Sequence, residues 1–127
     1  MTAARVIVAV VAVAVLAWLA VMERSARLQA TGIAATARQD WDRAEDDFRA
    51  AASLNPDVAP DFRRSFVYQA SSRPDEAIAV LRDVVRREPD NRAAWGVIEE
   101  FTRERDPALS ARAREQLRRL DPLNARR

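Results

Sequence analysis

The residues able to do chemistry in this chain are carboxylates, guanidinium groups and a few hydroxyls. Acids stand side by side at Asp46-Asp47, Asp75-Glu76 and Glu99-Glu100. A general acid and base must converge on one substrate, but helix neighbours point about 100° apart. These pairs therefore read as solvated faces, or as helix-start acids favoured by the dipole. Ser71 and Ser72 sit in a turn, and the chain has no His or Lys to take a serine proton. The Asp40-x-Asp42 spacing resembles the start of a cation loop but lacks the remaining oxygen ligands. Cysteine is absent too, which excludes disulfides and thiolate ligands or nucleophiles. With glycine only at Gly32 and Gly96, no glycine-rich phosphate loop exists. The sequence predicts no enzyme, no cofactor and no metal site.

What remains is binding, and charge gives it a direction. Net charge is +2, yet residues 40–61 hold seven acids against two Arg, and residues 103–127 hold eight Arg against four acids. Every basic side chain is Arg, which with the Ala-rich content reads as the imprint of a GC-rich bacterial genome. The basic end could meet nucleic acid or anionic lipid. No aromatic interleaves those arginines, and Glu104, Asp106, Glu115 and Asp121 dilute them, so a solvated helix is the preferred reading.

The elements that must position these side chains begin with residues 6–22, VIVAVVAVAVLAWLAVM, seventeen consecutive apolar residues. As a helix they span about 26 Å, and with Ala3 and Ala4 they approach a bilayer core of about 30 Å. Trp18 stands near one end, where an interfacial aromatic belongs. A cleaved signal would need a shorter run and a small-x-small site, whereas bulky and charged residues follow here. An uncleaved anchor is the expectation, with a cleaved signal or a buried core helix as alternatives. The basic flanks do not discriminate orientation, and a short leading tail favours an extracytoplasmic C-terminal domain. No Gly or Pro lies between Thr2 and Thr31, so the anchor is expected to continue as one rod from about Ala4 to Gln39.

Beyond the anchor a period of 33 residues emerges. Prolines recur at Pro56, Pro89 and Pro122 in the settings SLNPD, RREPD and RLDPL. Ala44, Ala77 and Ser110 share a register, as do Phe48 and Leu81, then Ala51, Val84 and Leu117. Further back, Gly32, Ser65 and Ile98 align, as do Ala35, Tyr68 and Phe101. Each unit reads as two amphipathic helices, with Asp40, Asn91 and Asp106-Pro107 as starts and Ser72 before Pro74 as another. No segment alternates as a strand would.

This pattern resembles the tetratricopeptide repeat (TPR), with its W-x2-L-G-x2-Y, A-x3-F and P positions over helix–turn–helix units. Gly32-x2-Ala35, Ala44-x3-Phe48 and Pro56 match best, and Ser65-x2-Tyr68, Ala77-x3-Leu81 and Pro89 follow. The third unit departs from it, because Arg114 occupies the place of Phe48 and Leu81. The resemblance implies a short α-solenoid of about three TPR-like repeats, so the expected chain is all-α, with a transmembrane helix followed by that solenoid. The expected division is 1–24 for tail and anchor and 25–124 for repeats (25–57, 58–90, 91–124), with a 125–127 tail.

In that family the first helices of successive units line a concave groove that holds peptide. By resemblance, the partner-binding residues are Phe62, Arg63, Phe66 and Gln69 in the second unit and Trp95, Glu99 and Arg103 in the third. Aromatics with Arg are the types that dominate interface energetics. Core packing is the competing reading for Phe62, Phe66 and Trp95. The family members that clamp a chaperone's C-terminal carboxylate use Lys and Asn, whereas Gln29, Ile33, Phe62 and Phe66 stand near those positions here, so that ligand class is not expected.

The expected function is a membrane-anchored protein–protein interaction scaffold in a bacterial envelope complex. The alternative is a small accessory subunit of a larger membrane enzyme or export machine, held mainly by its anchor. A third reading, binding of anionic polymers through the terminal arginines, predicts steep salt dependence. The expected partners are a protein or peptide and, through residues 6–22, the lipid bilayer. A stripe of Leu109, Ala113, Leu117 and Leu120 has no later helix to cover it, which leaves self-association as a further expectation.

Overall fold

The structure, a computed structural model, describes residues 3–122. Met1-Thr2, residues 123–124 of the third expected repeat and the 125–127 tail lie outside the described residues. Six α-helices and no strand occur among the described residues. They are α1 (Ala3–Ala37), α2 (Trp41–Leu54), α3 (Ala59–Ala70), α4 (Pro74–Arg87), α5 (Arg92–Thr102) and α6 (Pro107–Leu120). The rod expected from Ala4 to Gln39 is α1, 35 residues without a break. Its apolar part has a mean hydropathy of 2.7 over 18 residues and is long and apolar enough to cross a membrane.

The 33-residue period reappears in the backbone. The helices α2, α4 and α6 are each 14 residues long and begin at positions 41, 74 and 107. Asp40 and Asp106 cap two of them, accepting from the backbone N–H groups of Arg43 and Leu109. The third starts differently from expectation. Pro74 is the first helical residue and Arg73 precedes it without a side-chain cap. Ser72 instead turns the chain, with φ 62°, as Gln39 does with φ 59° one period earlier. Behind each, the same bond closes the preceding helix, from Asp40 N–H to Ala35 C=O at 3.0 Å and from Arg73 N–H to Tyr68 C=O at 2.8 Å. This six-to-one bond around a left-handed residue is a Schellman closure. The third turn lacks it: Asp106 N–H reaches Thr102 C=O instead, at 2.8 Å.

The chain forms two compact units, divided between Asp57 and Val58. In the first, α1 and α2 pack antiparallel. The Ser25 hydroxyl donates to Ala51 C=O at 3.3 Å, and Gly32 faces the ring of Phe48. A β-carbon on Gly32 would stand 3.0 Å from that ring, so the ring would have to give way by a few tenths of an ångström to admit one. Ala35, Ala44 and Ala51 are fully buried.

In the second unit α3 packs on α4, α4 on α5 and α5 on α6. Its core gathers Val58, Leu81, Val84, Val85, Ala94, Trp95, Ile98 and Ala113. Leu109, Leu117 and Leu120 lie partly buried against this cluster. The C-terminal apolar stripe thus folds in part onto its own unit. Asp61 ties α3 to α4, pairing with Arg64 at 3.0 Å and with Arg87. Arg92 reaches Asp121 at 2.7 Å and joins the start of α5 to the end of α6.

Candidate binding face on α3 and α5

An amphipathic helix in a layered bundle buries one stripe and leaves the other to solvent. On α3 the buried stripe is Asp61, Ser65, Val67 and Tyr68, and on α5 it is Ala94, Trp95, Ile98 and Thr102. Phe62 and Phe101 lie at the edge of these stripes, partly buried against the core. Phe66 projects beyond them at 42% exposure. Past the apolar run of residues 6–22, Phe66 and Ile33 are the exposed large apolar side chains among the described residues.

The three phenylalanines form a ladder. Phe62 and Phe66 meet edge to face with ring centroids 5.2 Å apart, and Phe66 and Phe101 do so at 6.0 Å. Edge-to-face geometry satisfies the ring quadrupoles and fixes each ring's orientation. Beside the ladder opens a cavity of about 330 Å³ lined by Gln69, Glu100, Phe101, Arg103, Glu104 and Arg105. The arrangement is an apolar rung next to a rim of mixed charge, able to seat a bulky side chain and orient its polar neighbours.

The structure separates the expected site residues. Phe62, Phe66 and Gln69 fall on this face together with Arg103. Arg63 is exposed on α3. Trp95 belongs to the core at 7% exposure, and its indole N–H donates to Pro89 C=O at 2.7 Å. Its burial matches the core-packing reading of Trp95. Glu99 is engaged within the chain, accepting from Arg114 at 3.0 Å and from Arg103 at 3.1 Å. The two guanidinium groups, Arg114 foremost, hold its carboxyl below the ordinary glutamate value. The Glu99 hydrogen bond in turn raises Arg103 above its ordinary value.

Phe101, Glu100, Glu104 and Arg105 also line the site, although the sequence pattern does not single them out as binding residues. Phe101 shares a register with Ala35 and Tyr68, which points to core. Its partner Phe66 lies 35 residues earlier, one period plus two, so comparing equivalent positions does not pair them.

Elsewhere in this unit a cavity of about 420 Å³ has a floor of Val85, Trp95, Ile98 and Leu109 and a rim of Arg82, Arg86 and Arg112. Among the described residues no group of three or more potential metal ligands gathers. Compared with known proteins, the chain matches no protein-family model and no curated sequence.

Proposed function

We propose that this chain is a single-pass membrane protein whose helical repeats present a polypeptide-binding face, and that it holds a partner without transforming it. The observation carrying the reading is the Phe62–Phe66–Phe101 ladder with Phe66 exposed at its centre. A solvent-facing aromatic, braced by two others and rimmed by Arg and Glu, is the composition of an interface anchor. A TPR-like solenoid is the proposed arrangement. Its support is the 33-residue step in the bounds of α2, α4 and α6 and the recurring turn at Gln39 and Ser72. The absence of His and Cys from the sequence supports a non-catalytic role.

The proposed location is a bacterial cell envelope, with α1 as the anchor and the repeats outside the cytoplasm. Protease added to intact spheroplasts should then remove residues after Arg24, and protection would reverse the orientation.

A second reading gives the binding role to the anchor, making the chain an accessory subunit of a larger membrane complex. Its support is the run from Val6 to Val21, whose large side chains are all exposed and available to another span as well as to lipid. Affinity purification from solubilised membranes separates the two. Phe66→Asp should lose the co-purifying polypeptide while Ala79→Asp, exposed on α4, retains it. Retention by Phe66→Asp would favour the anchor.

A further inference from the structure

The helix α1 does not end at the membrane, and this sets where α2 must lie. Ala3 to Met22 is about 20 residues or about 30 Å of helix, matching a hydrocarbon core of about 30 Å. Ser25 stands about 4.5 Å further along the same unbroken rod. The headgroup layer on each side is about 5–8 Å deep, so Ser25 stands inside it. Ser25 is also fully buried, and its hydroxyl donates to Ala51 C=O. Because α2 runs antiparallel to α1, residues after Ala51 descend toward the bilayer. Leu54 lies about 4.5 Å below Ala51, level with Met22. At that level Met22 is half-buried, whereas Val21 and Glu23 on either side are exposed.

We propose that the C-terminal turn of α2 rests in the headgroup layer of a lipid bilayer, as a second membrane contact beside the anchor. The proposal rests on reading residues 3–22 as the span. Leu54 then meets the hydrocarbon boundary, while Ser53, Asn55 and Asp57 sit among headgroups. The local bonding suits that depth. The Ser53 hydroxyl donates to Ala50 C=O at 2.7 Å, and the Asn55 side chain accepts from Asp57 N–H at 3.1 Å. These groups therefore enter the interface already satisfied. Arg24, exposed on α1 at the same level, is placed to meet lipid phosphate. The consequence is mechanical. An anchor joined to its domain by a flexible linker lets the domain tumble, whereas an unbroken rod with a second contact sets the first unit's height and tilt.

The test uses the full chain in phosphatidylcholine–phosphatidylglycerol vesicles. The chain has no cysteine, so each introduced one carries a single fluorophore. Ser53 and Pro56 are exposed, so Ser53→Cys and Pro56→Cys should preserve the fold. Asp42→Cys, in the first turn of α2, lies about 16 Å higher. Lipids with a headgroup nitroxide should quench the Ser53 and Pro56 labels several-fold more than the Asp42 label. Equal quenching at both ends of α2 would overturn the contact. A Val13→Cys label with acyl-chain nitroxides distinguishes the two ways of failing. Quenching there alongside water-like Ser53 and Pro56 labels removes the contact alone, and no quenching there removes span and contact together.

Discussion

The Arg114 guanidinium donates to Glu99 Oε1 at 3.0 Å and fastens the outer surface of α6 to α5. Arg114 occupies the register position that buries Phe48 and Leu81 in the earlier helices, at 2% and 0% exposure. In α6 the buried place passes to Ala113, and the larger position turns outward to a carboxylate. The departure in the third period is therefore an exchange of a core contact for a surface ion pair.

That exchange makes stability depend on acid. Glu99 has its carboxyl value lowered on folding, chiefly by Arg114 and then by Arg103. Its contribution is present above the unfolded-state value and is lost as pH falls through the folded-state value. Both arginines are more than half exposed, so solvent screening limits the effect to about 0.5–1 kcal/mol. Glu99→Gln should cost about that much near pH 7, and the gap to the unmodified chain should close as pH falls through the lowered folded-state value. Urea melts at neutral pH and in acid measure it.

The two glycines should respond with opposite signs when replaced by alanine. Gly96 sits within α5 with nothing inside 4 Å of an added β-carbon, so Gly96→Ala should stabilise by about 0.5–1 kcal/mol. Gly32→Ala makes the same helical gain but drives a methyl against the buried Phe48 ring at 3.0 Å. Overpacking of this kind costs about 1–3 kcal/mol, so a net loss is expected. Thermal melts by circular dichroism, with the chain in detergent, compare them.

Gln39 and Ser72 hold left-handed backbone without being glycine. An L side chain there costs about 1–2 kcal/mol, and part of it is recovered when glycine is placed at such a position. Gln39→Gly and Ser72→Gly should each raise stability by a few tenths to about 1 kcal/mol, less the greater entropy of the unfolded chain. A loss at either site would contradict the assigned turn.

Trp95 and Phe66 should behave as opposites. Trp95→Phe removes the hydrogen bond to Pro89 C=O and some core volume, and should cost about 1–3 kcal/mol. Phe66 is 42% exposed and stacks edge to face on Phe62 and Phe101. Phe66→Ala should cost about 1 kcal/mol while weakening partner binding at least tenfold. Denaturant melts and binding titrations with the co-purified polypeptide report the two effects.

Much of this fold was legible because its signals are local. The apolar run at 6–22 needs only length to declare a span-capable helix, and the absence of Gly and Pro up to Thr31 foretold its continuation into α1. Asp40, Asn91 and Asp106 were readable as caps because a short polar side chain there satisfies an orphan N–H. The turn at Ser71-Ser72 was readable, but the positive φ of Gln39 and Ser72 was not, since neither residue advertises it as Gly or Asn would. The site was half legible. Phe62, Phe66 and Gln69 follow from their helix, but whether Trp95 faces in or out depends on a rotation that one residue of loop length decides. The Phe66–Phe101 contact joins different register positions, so periodicity alone does not reveal it.

The proposed function turns on Phe66, rather than the anchor, touching the partner. A photo-crosslinking residue placed at Phe66, at Ala79 and at Val13 in separate full-length chains, activated in living cells, reads this out. Position 66 should give one discrete polypeptide adduct and position 79 none, with position 13 giving mainly lipid. The same adduct from position 13 with none from position 66 would refute the binding role of Phe66 and hand it to the anchor.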